Sequence, residues 1–587
     1  MRFLARLAPS LRHPLLSRPH LLPPATRTMA SPITTSQQVE QIQTQAQPHS
    51  QTPPRPQNVN GKRPAFQSRA KGKKQRTKRE RSMKEGSSEE VLLADIQALV
   101  KARQESAPSP SEQETSPLPE QWSEIDVEIL ELSSTGDGLG VQVGSSNPQI
   151  YVVSFVAPGD VARVKVVRHV LEDGYTATDY LSIITPSPMR DDSRVSCKYF
   201  TQCSGCQFQM LDYADQLRHK RSIVVKAFKN FSQLAPELVP TIGDTIGSPL
   251  QYGYRTKLTP HFDGPPGSWR KGKQRAPFTT MPPIGFNVKG RRAVLDIEDC
   301  PIGTQAVRNG MKKERERIEG EYATRNHGAT LLLRESTKRY PKGGDEQPPA
   351  VLPEGAVRVD TDAYTDIKTC ATDNKAMTSE YIDDFLFTNP AGSFFQNNNS
   401  ILSPFTDYVR QHVLPPAALA AAPGAKPIRY LIDAYSGSGL FTITLSGLFQ
   451  TSMGIDIAAD SIASARKNAL LNRFTEDQCT FLAADAPELF RHVRYDPDET
   501  VVILDPPRKG CDASFLGQLL DFGPRRVVYV SCNVHTQARD VGVLVRGEVE
   551  GQKKRTRYEI ESLRGFDFFP QTGHVEGVAV LNRMEDA

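Results

Sequence analysis

Residues 527–540 read VVYVSCNVHTQARD. Val527, Val528, Tyr529 and Val530 are strand formers of the buried, parallel-sheet kind. Ser531, Cys532 and Asn533 then end the apolar run with turn-favouring residues. Cys532 is thus expected at the carboxyl end of a strand, where open α/β sheets place their ligands. A cysteine there has two readings. One is an inert core thiol, since free Cys is among the most buried residue types. The other is a nucleophile, and it requires the remaining parts of a thiolate-using site at the same sheet edge.

Three further stretches supply such parts. In RYLIDAYSGSGLFTITLSGLF (429–449) a buried strand runs into Ser436-Gly437-Ser438-Gly439 and then a helix, a loop that lets a ligand approach the backbone. Asp456 follows Gly437 by 19 residues, at the end of the next strand, where an acid suits ribose hydroxyls. Thr442 stands where the dinucleotide fingerprint has its third glycine, so a nucleoside without a pyrophosphate fits better than a nicotinamide cofactor, and S-adenosylmethionine is the common one. In TVVILDPPRKGC (500–511) a strand ends at Asp505, and two prolines make the following loop rigid. Adenine amino-methyltransferases often carry an aromatic residue after such a pair; Arg508 here argues against amine chemistry. Finally, FDFFPQTGHVEGVAVL (566–581) sets His574 and Glu576 before a terminal apolar strand. Taken alone, Glu576 could be a surface acid and His574 a hydrogen-bonded structural residue.

These parts suit one reaction. Carbon C5 of uracil is too weak a nucleophile to take a methyl group unaided. A thiolate added at C6 places enolate charge on C5, and a base must later remove the C5 proton so that the thiolate can leave. A cysteine, a methyl donor and a carboxylate or imidazole at one sheet edge are the minimum.

The motifs SFFQNN (393–398), DAYSGSG (433–439), LDPPRKG (504–510), VSCN (530–533) and FPQTGHVE (569–576) occur in that order. On them the chain resembles the RNA uracil-C5-methyltransferases, most closely the eukaryotic tRNA members, with similarity to the bacterial 23S ribosomal-RNA members. The resemblance covers roughly 120–587. It implies an α/β fold: a Rossmann-like S-adenosylmethionine-dependent methyltransferase domain, an N-terminal OB-like β-barrel of the TRAM type that binds RNA, and a mixed α+β central domain. It implies methylation of the T-loop uridine, position 54, of tRNA, with Cys532 as nucleophile and Glu576 as proton acceptor. Gln396, Tyr435, Asp456, Asp485 and Asp505 would contact the donor. Two departures from the family's usual pattern, Val534 and Gln571, replace no reacting group and touch only loop geometry. Cys197, Cys203 and Cys206, with Cys300 further on, leave zinc and iron–sulfur open on spacing alone. The resemblance to bacterial members favours a structural [4Fe-4S] cluster. Two other readings compete: RNA cytosine-C5 methylation, and a non-catalytic RNA-binding folding factor.

The rest of the chain must position these residues. Residues 1–118 are expected to be a disordered region, 119–185 the barrel, 186–400 the central domain and 401–587 the methyltransferase domain. Residues 1–38 hold five arginines and no Asp, Glu or Lys, as a mitochondrial presequence does, and 61–84 hold eleven Lys/Arg and one Glu. Residues 1–84 therefore sum to +15 against a whole-chain charge of +5, and the remainder is near −10. The basic run could be a nuclear address or a phosphate-binding arm, so the expected compartments are mitochondrion, nucleus or cytoplasm. Ser87 and Glu90 have capping-box spacing before a short amphipathic helix (87–103), expected to pack weakly or bind a partner. Eight cysteines are too few for a disulfide scaffold of this length, and no apolar run reaches the roughly 18 residues that span a bilayer. The protein is expected to act on tRNA or ribosomal RNA, as an intracellular monomer without a membrane partner.

Overall fold

The computed structural model describes residues 85–106, 116–265, 276–417, 426–484, 490, 493–554 and 556–584. The chain divides into two units, Met1–Lys74 and Gln75–Ala587, and every described residue lies in the second. The presequence-like stretch, the basic run and Asp485 lie outside the described residues.

The first element is helix α1, Ser88–Ser106. Its start is a capping box: the Glu90 N–H donates to Ser87 Oγ at 3.3 Å, and Glu90 Oε2 accepts from the Gly86 N–H at 2.7 Å. The expectation of weak packing is not met. Ile96 is fully buried against Leu139, Ile150, Val170 and Tyr175 of the following barrel, because the apolar side of α1 covers an opening that a small barrel cannot fill alone.

That barrel is closed, from β1 (Glu124–Leu132), β2 (Gly138–Gln142), β3 (Ile150–Val153), β4 (Val161–Val170) and β5 (Tyr175–Thr185), in the order β1-β2-β3-β5-β4. Alternation along β1 and β4 sends Val127, Ile129, Ala162 and Val164 inward. Closure removes the unpaired edges that so short a sheet would otherwise expose. After it come helix α2 (Tyr213–Phe231), strand β6 (Gly243–Ile246), and small antiparallel sheets, one built on Leu333–Pro341 and Tyr364–Ala371.

An eight-stranded sheet dominates the rest. Its strands are β6, β7 (Tyr430–Ala434), β8 (Thr451–Asp456), β9 (Cys479–Ala483), β10 (Thr500–Leu504), β11 (Arg526–Ser531), β12 (Tyr558–Phe566) and β13 (Glu576–Arg583). The order is β9-β8-β7-β10-β11-β13-β12-β6. From β9 to β11 every neighbour is parallel, and β13 enters antiparallel to β11. All residues of β10 and β11 are buried. Val527 and Tyr529 pack on one face with helices α4 (Ala513–Phe522) and α5 (Val534–Arg546), while Val528 and Val530 pack on the other. Each such valine contributes about 1.5–3 kcal/mol by leaving water. The run is apolar at every position because the sheet is covered on both faces.

One buried ion pair ties the middle of the chain to the loop between β12 and β13. Lys220 of α2 pairs with Asp567, both side chains fully enclosed, and Lys220 Nζ also donates to the Phe569 carbonyl at 3.0 Å. The Tyr213 hydroxyl donates to the other Asp567 oxygen at 3.0 Å. Removing one partner leaves the other charge buried without compensation, so Lys220→Met is expected to cost about 3–5 kcal/mol. Urea unfolding of Lys220→Met and of Lys220→Met/Asp567→Asn measures it. The double variant should recover most of the loss, and a single variant within 1 kcal/mol of wild type would contradict the assignment.

Candidate active site

The ends of the parallel strands bring the expected residues to one edge. Ala434 pairs with Ile455 and with Leu504, Leu504 pairs with Tyr529, and Ser531 pairs with Gly577. Tyr435, Asp456, Asp505, Cys532 and Glu576 each sit at or one residue beyond these positions, so the register alone aligns them. The order reverses at β7, whose neighbours are β8 and β10, and such a reversal opens a crevice at the carboxyl edge.

In the loop after β7, Tyr435 and Gly439 both have positive φ, +65° and +92°. Gly439 heads a short helix, Leu440–Thr444, in a conformation a side chain would strain. Asp456 secures the loop: its Oδ2 accepts from the Gly437 N–H at 3.0 Å and its Oδ1 from the Ala458 N–H at 2.8 Å. Thr442, in place of a third glycine, donates its N–H and hydroxyl to Asp433 Oδ2 at 2.8 and 2.6 Å. Asp433 Oδ1 and Ser436 Oγ are buried and have no partner, which marks the crevice as one that a polar ligand would complete. Burial pushes the Asp433 carboxyl up to about 7. The sequence reading quoted Asp433 only as part of its motif.

Gln396 lies half-buried in the SFFQNN loop. That loop is fastened from the central region: Arg334, ion-paired with the buried Glu380, donates to Asn397 Oδ1 at 3.1 Å, and Lys257 Nζ donates to the Ser393 carbonyl at 3.2 Å. Asn398 Nδ2 donates to the Phe568 carbonyl at 3.1 Å, joining this loop to the one that leads to Glu576.

Cys532 is half-buried at the end of β11. Burial first, then the charges of Glu576 and Asp505, push its thiol up to about 12, and the Arg508 guanidinium beside it acts the other way. Asp505 is also driven well above the carboxylate range by burial, Glu576 and Asp433. The strand register brings the three groups to one edge, where the neighbouring carboxyl groups and burial act on the thiol and on Asp505 in the same direction. Arg508 donates to His574 Nδ1 at 3.2 Å. An arginine only donates, so Nδ1 accepts and the ring proton sits on Nε2, which faces Glu576 Oε1 at 3.7 Å. His574 is hydrogen-bonded to Arg508, in keeping with the structural role expected for it, and lies near Glu576 without a hydrogen bond to it. Arg508 entered the sequence reading only as a non-aromatic residue; that it meets a histidine 66 residues away required the fold.

Gln571 is buried with φ +72°. It exchanges hydrogen bonds with Gln216, at 3.0 and 3.1 Å, and its carbonyl accepts from the Gln207 N–H at 2.7 Å. Its amide side chain fixes the loop and touches no reacting group. Val534, the other departure, is buried at the start of α5.

The second cysteine group has a different outcome. Cys197, Cys203, Cys206 and Cys300 come near one another: the charges of Cys300, Cys203 and Cys197 add to burial in pushing Cys206 up to about 12. Yet among the described residues no group of three or more His, Cys, Asp or Glu is arranged to hold a metal ion. The four thiols as placed do not fit an iron–sulfur cluster, and the expectation of one is not supported. Their side chains pack instead with apolar neighbours such as Phe208 and Leu258. Among the described residues no helix is long and apolar enough to cross a membrane.

The family model described as tRNA (Uracil-5-)-methyltransferase matches residues 366–584. The chain is 42% identical over 503 residues to the tRNA (uracil(54)-C(5))-methyltransferase of Schizosaccharomyces pombe, covering 86% of this chain and 84% of that one. It is 39% identical over 490 residues to the Saccharomyces cerevisiae protein of the same name, covering 78% and 73%. Among solved structures, the Pyrococcus abyssi tRNA (uracil-54, C5)-methyltransferase in complex with S-adenosyl-L-homocysteine aligns with a TM-score of 0.51 at 23% identity, over 78% of this chain and 100% of that one, which shows a shared fold. The chain belongs to the tRNA (uracil-5-)-methyltransferase family.

Proposed function

We propose that the protein methylates carbon C5 of uracil in RNA, at the T-loop uridine, position 54, of tRNA, with Cys532 as nucleophile and Glu576 as proton acceptor. The observation that carries the reading is the placement of Cys532, Asp505 and Glu576 at neighbouring strand ends of one sheet edge. The printed names of the fungal relatives supply the substrate. S-adenosylmethionine, when bound, supplies an electrophilic methyl group. The crevice with its two unpartnered buried oxygens suits such a donor, and Gln396, Tyr435, Asp456 and Asp505, with Asp485 outside the described residues, would hold it.

The chain's own groups divide the remaining work. Cys532 adds through sulfur to C6, which places a carbanion-like charge on C5. Arg508 supplies the positive charge that favours the thiolate, against the burial and the carboxylates that keep the resting thiol protonated. Once C5 carries the methyl group, Glu576 takes the C5 proton and the C6–sulfur bond breaks, returning its electron pair to Cys532. His574, hydrogen-bonded to Arg508, lies 3.7 Å from the Glu576 carboxylate. The barrel Glu124–Thr185 is read as a TRAM-type RNA-binding unit within the 119–185 segment, 186–400 as a central domain that fastens the loops, and 401–587 as the methyltransferase domain. No metal takes part in this reading.

Cys532→Ser is expected to abolish transfer to a T-loop stem while RNA and donor binding persist, because a neutral alcohol is a far poorer nucleophile than a thiolate. Single-turnover assays decide it, and wild-type rates in the variant would remove Cys532 from the mechanism. Glu576→Gln should stop one step later. Turnover is expected to fall about 10²–10⁴-fold, as loss of a general base does, with a covalent RNA adduct accumulating on a denaturing gel. Normal turnover without adduct would reassign the base.

A further inference from the structure

The chain that leads into α1 touches the loop of the nucleophile. The Gly86 carbonyl accepts from Asn533 Nδ2 at 3.0 Å. The same amide nitrogen donates to the Arg508 carbonyl at 3.0 Å, and Asn533 Oδ1 accepts from the His535 N–H at 3.2 Å, capping α5. Asn533 therefore joins three segments: the lead-in to α1, the Asp-Pro-Pro-Arg loop and its own Ser-Cys-Asn turn. One residue earlier, Glu85 pairs with Arg539 at 2.7 Å. Arg539 in turn donates to the carbonyls of Lys509 and Cys511 at 3.0 and 3.2 Å.

Two features show that this contact is built and not incidental. Gly86 has φ +68°, and a Cβ there would lie 2.3 Å from Thr536 Cγ2 and 3.0 Å from Asn533 Nδ2, so any side chain would push the lead-in off α5. In its middle the helix is fixed to the barrel by Ile96 and by Asp95, whose Oδ2 accepts from the buried Ser134 N–H at 2.5 Å. Between these attachments lies a cavity of about 390 Å³, lined among others by Gly86, Ser87, Ser88, Ser134, Arg508 and Cys532. Ser134 Oγ and His535 Nδ1, both buried, line it without a partner. They are polar groups that a base or ribose entering the cavity could satisfy.

We infer that the Glu85–Ser88 lead-in, which lies outside the five motifs, forms one wall of the pocket that receives the target nucleotide and, through Gly86 and Asn533, is a positioning element for Cys532. This rests on the reading of Cys532 as the nucleophile and adds to it. The barrel and its helix then do more than hold RNA at a distance, because they reach the reacting group through one hydrogen-bonded residue. A structural role alone would change stability. Positioning changes the chemical step.

Two variants of the full-length chain separate these. Gly86→Val forces the lead-in away, and Glu85→Lys replaces attraction to Arg539 by repulsion. For each, kcat and KM on a T-loop RNA are measured, together with the melting temperature and the rate at which iodoacetamide alkylates Cys532 without RNA or donor, followed by peptide mass. Misplacing a reacting group by about 1 Å can cost ~100-fold, so Gly86→Val should lower kcat at least about tenfold, keep KM within about twofold, and alkylate Cys532 several-fold faster. Glu85→Lys should move the same quantities in the same directions by less. Wild-type kcat and alkylation in folded variants would overturn the inference, as would a rise in KM alone, which would leave the segment a mere grip on RNA. If Gly86→Val fails to fold, Glu85→Lys decides alone. Altered alkylation alongside an active Cys532→Ser enzyme would sink the proposed nucleophile and leave the wall standing.

Discussion

The sheet forces two carboxyl groups, Asp505 and Glu576, up against the Cys532 thiol at one edge, with the Arg508 guanidinium as the cation acting on the thiol. Burial and the neighbouring carboxyl groups disfavour added negative charge there, which raises the thiol and the Asp505 carboxyl above their ordinary ranges. The protein accepts that constraint because each group has its own position in the register. Asp505 follows β10, Cys532 follows β11 and Glu576 opens β13, so none can withdraw without breaking strand pairing. The thiol is then held protonated at rest, and Arg508 is the group beside it that favours the thiolate. That is a suitable state for a nucleophile that must add, transfer its effect to carbon, and leave again.

The remainder of the fold holds that edge rigid. The loop before Glu576 has no regular structure, and it is bound from several directions. Lys220 and Tyr213 hold Asp567, the Tyr254 hydroxyl donates to the Pro570 carbonyl at 3.2 Å, and Gln216 and Gln207 hold Gln571. Asn398 brings the SFFQNN loop to the same place. These partners come from residues 207–254 and 398, far from β13 in sequence. The middle of the chain therefore clamps the loop that leads to Glu576.

The strands and their ends could be read in the sequence, since Val527–Val530 and Val501–Leu504 are unbroken apolar runs closed by turn residues, and the cysteine and acids at those closures announced an edge. What joined them could not. The Arg508–His574 contact, the Asn533 amide shared by three segments and the Gln571–Gln216 pair link residues 25 to 447 positions apart, and no local pattern encodes a partner at that distance. Helix α1 illustrates the difference. Its capping box was plain from Ser87 and Glu90, yet its apolar side gave no sign of whether it faced a partner, solvent or the barrel. The cysteine cluster erred in the opposite direction, since spacing suggested a metal and the placed side chains form no such group.

The central claim is that Cys532 bonds to carbon C6 of the target uracil. The most direct measurement uses a T-loop RNA with 5-fluorouridine at the target position, incubated with the full-length protein and S-adenosylmethionine, then digested and mapped by mass spectrometry. Fluorine on C5 leaves no proton for Glu576 to take, so the adduct cannot resolve. One RNA-modified peptide should appear, containing Cys532 and carrying the added methyl group. An adduct on any of the other seven cysteines, or full turnover with no adduct, would contradict the account.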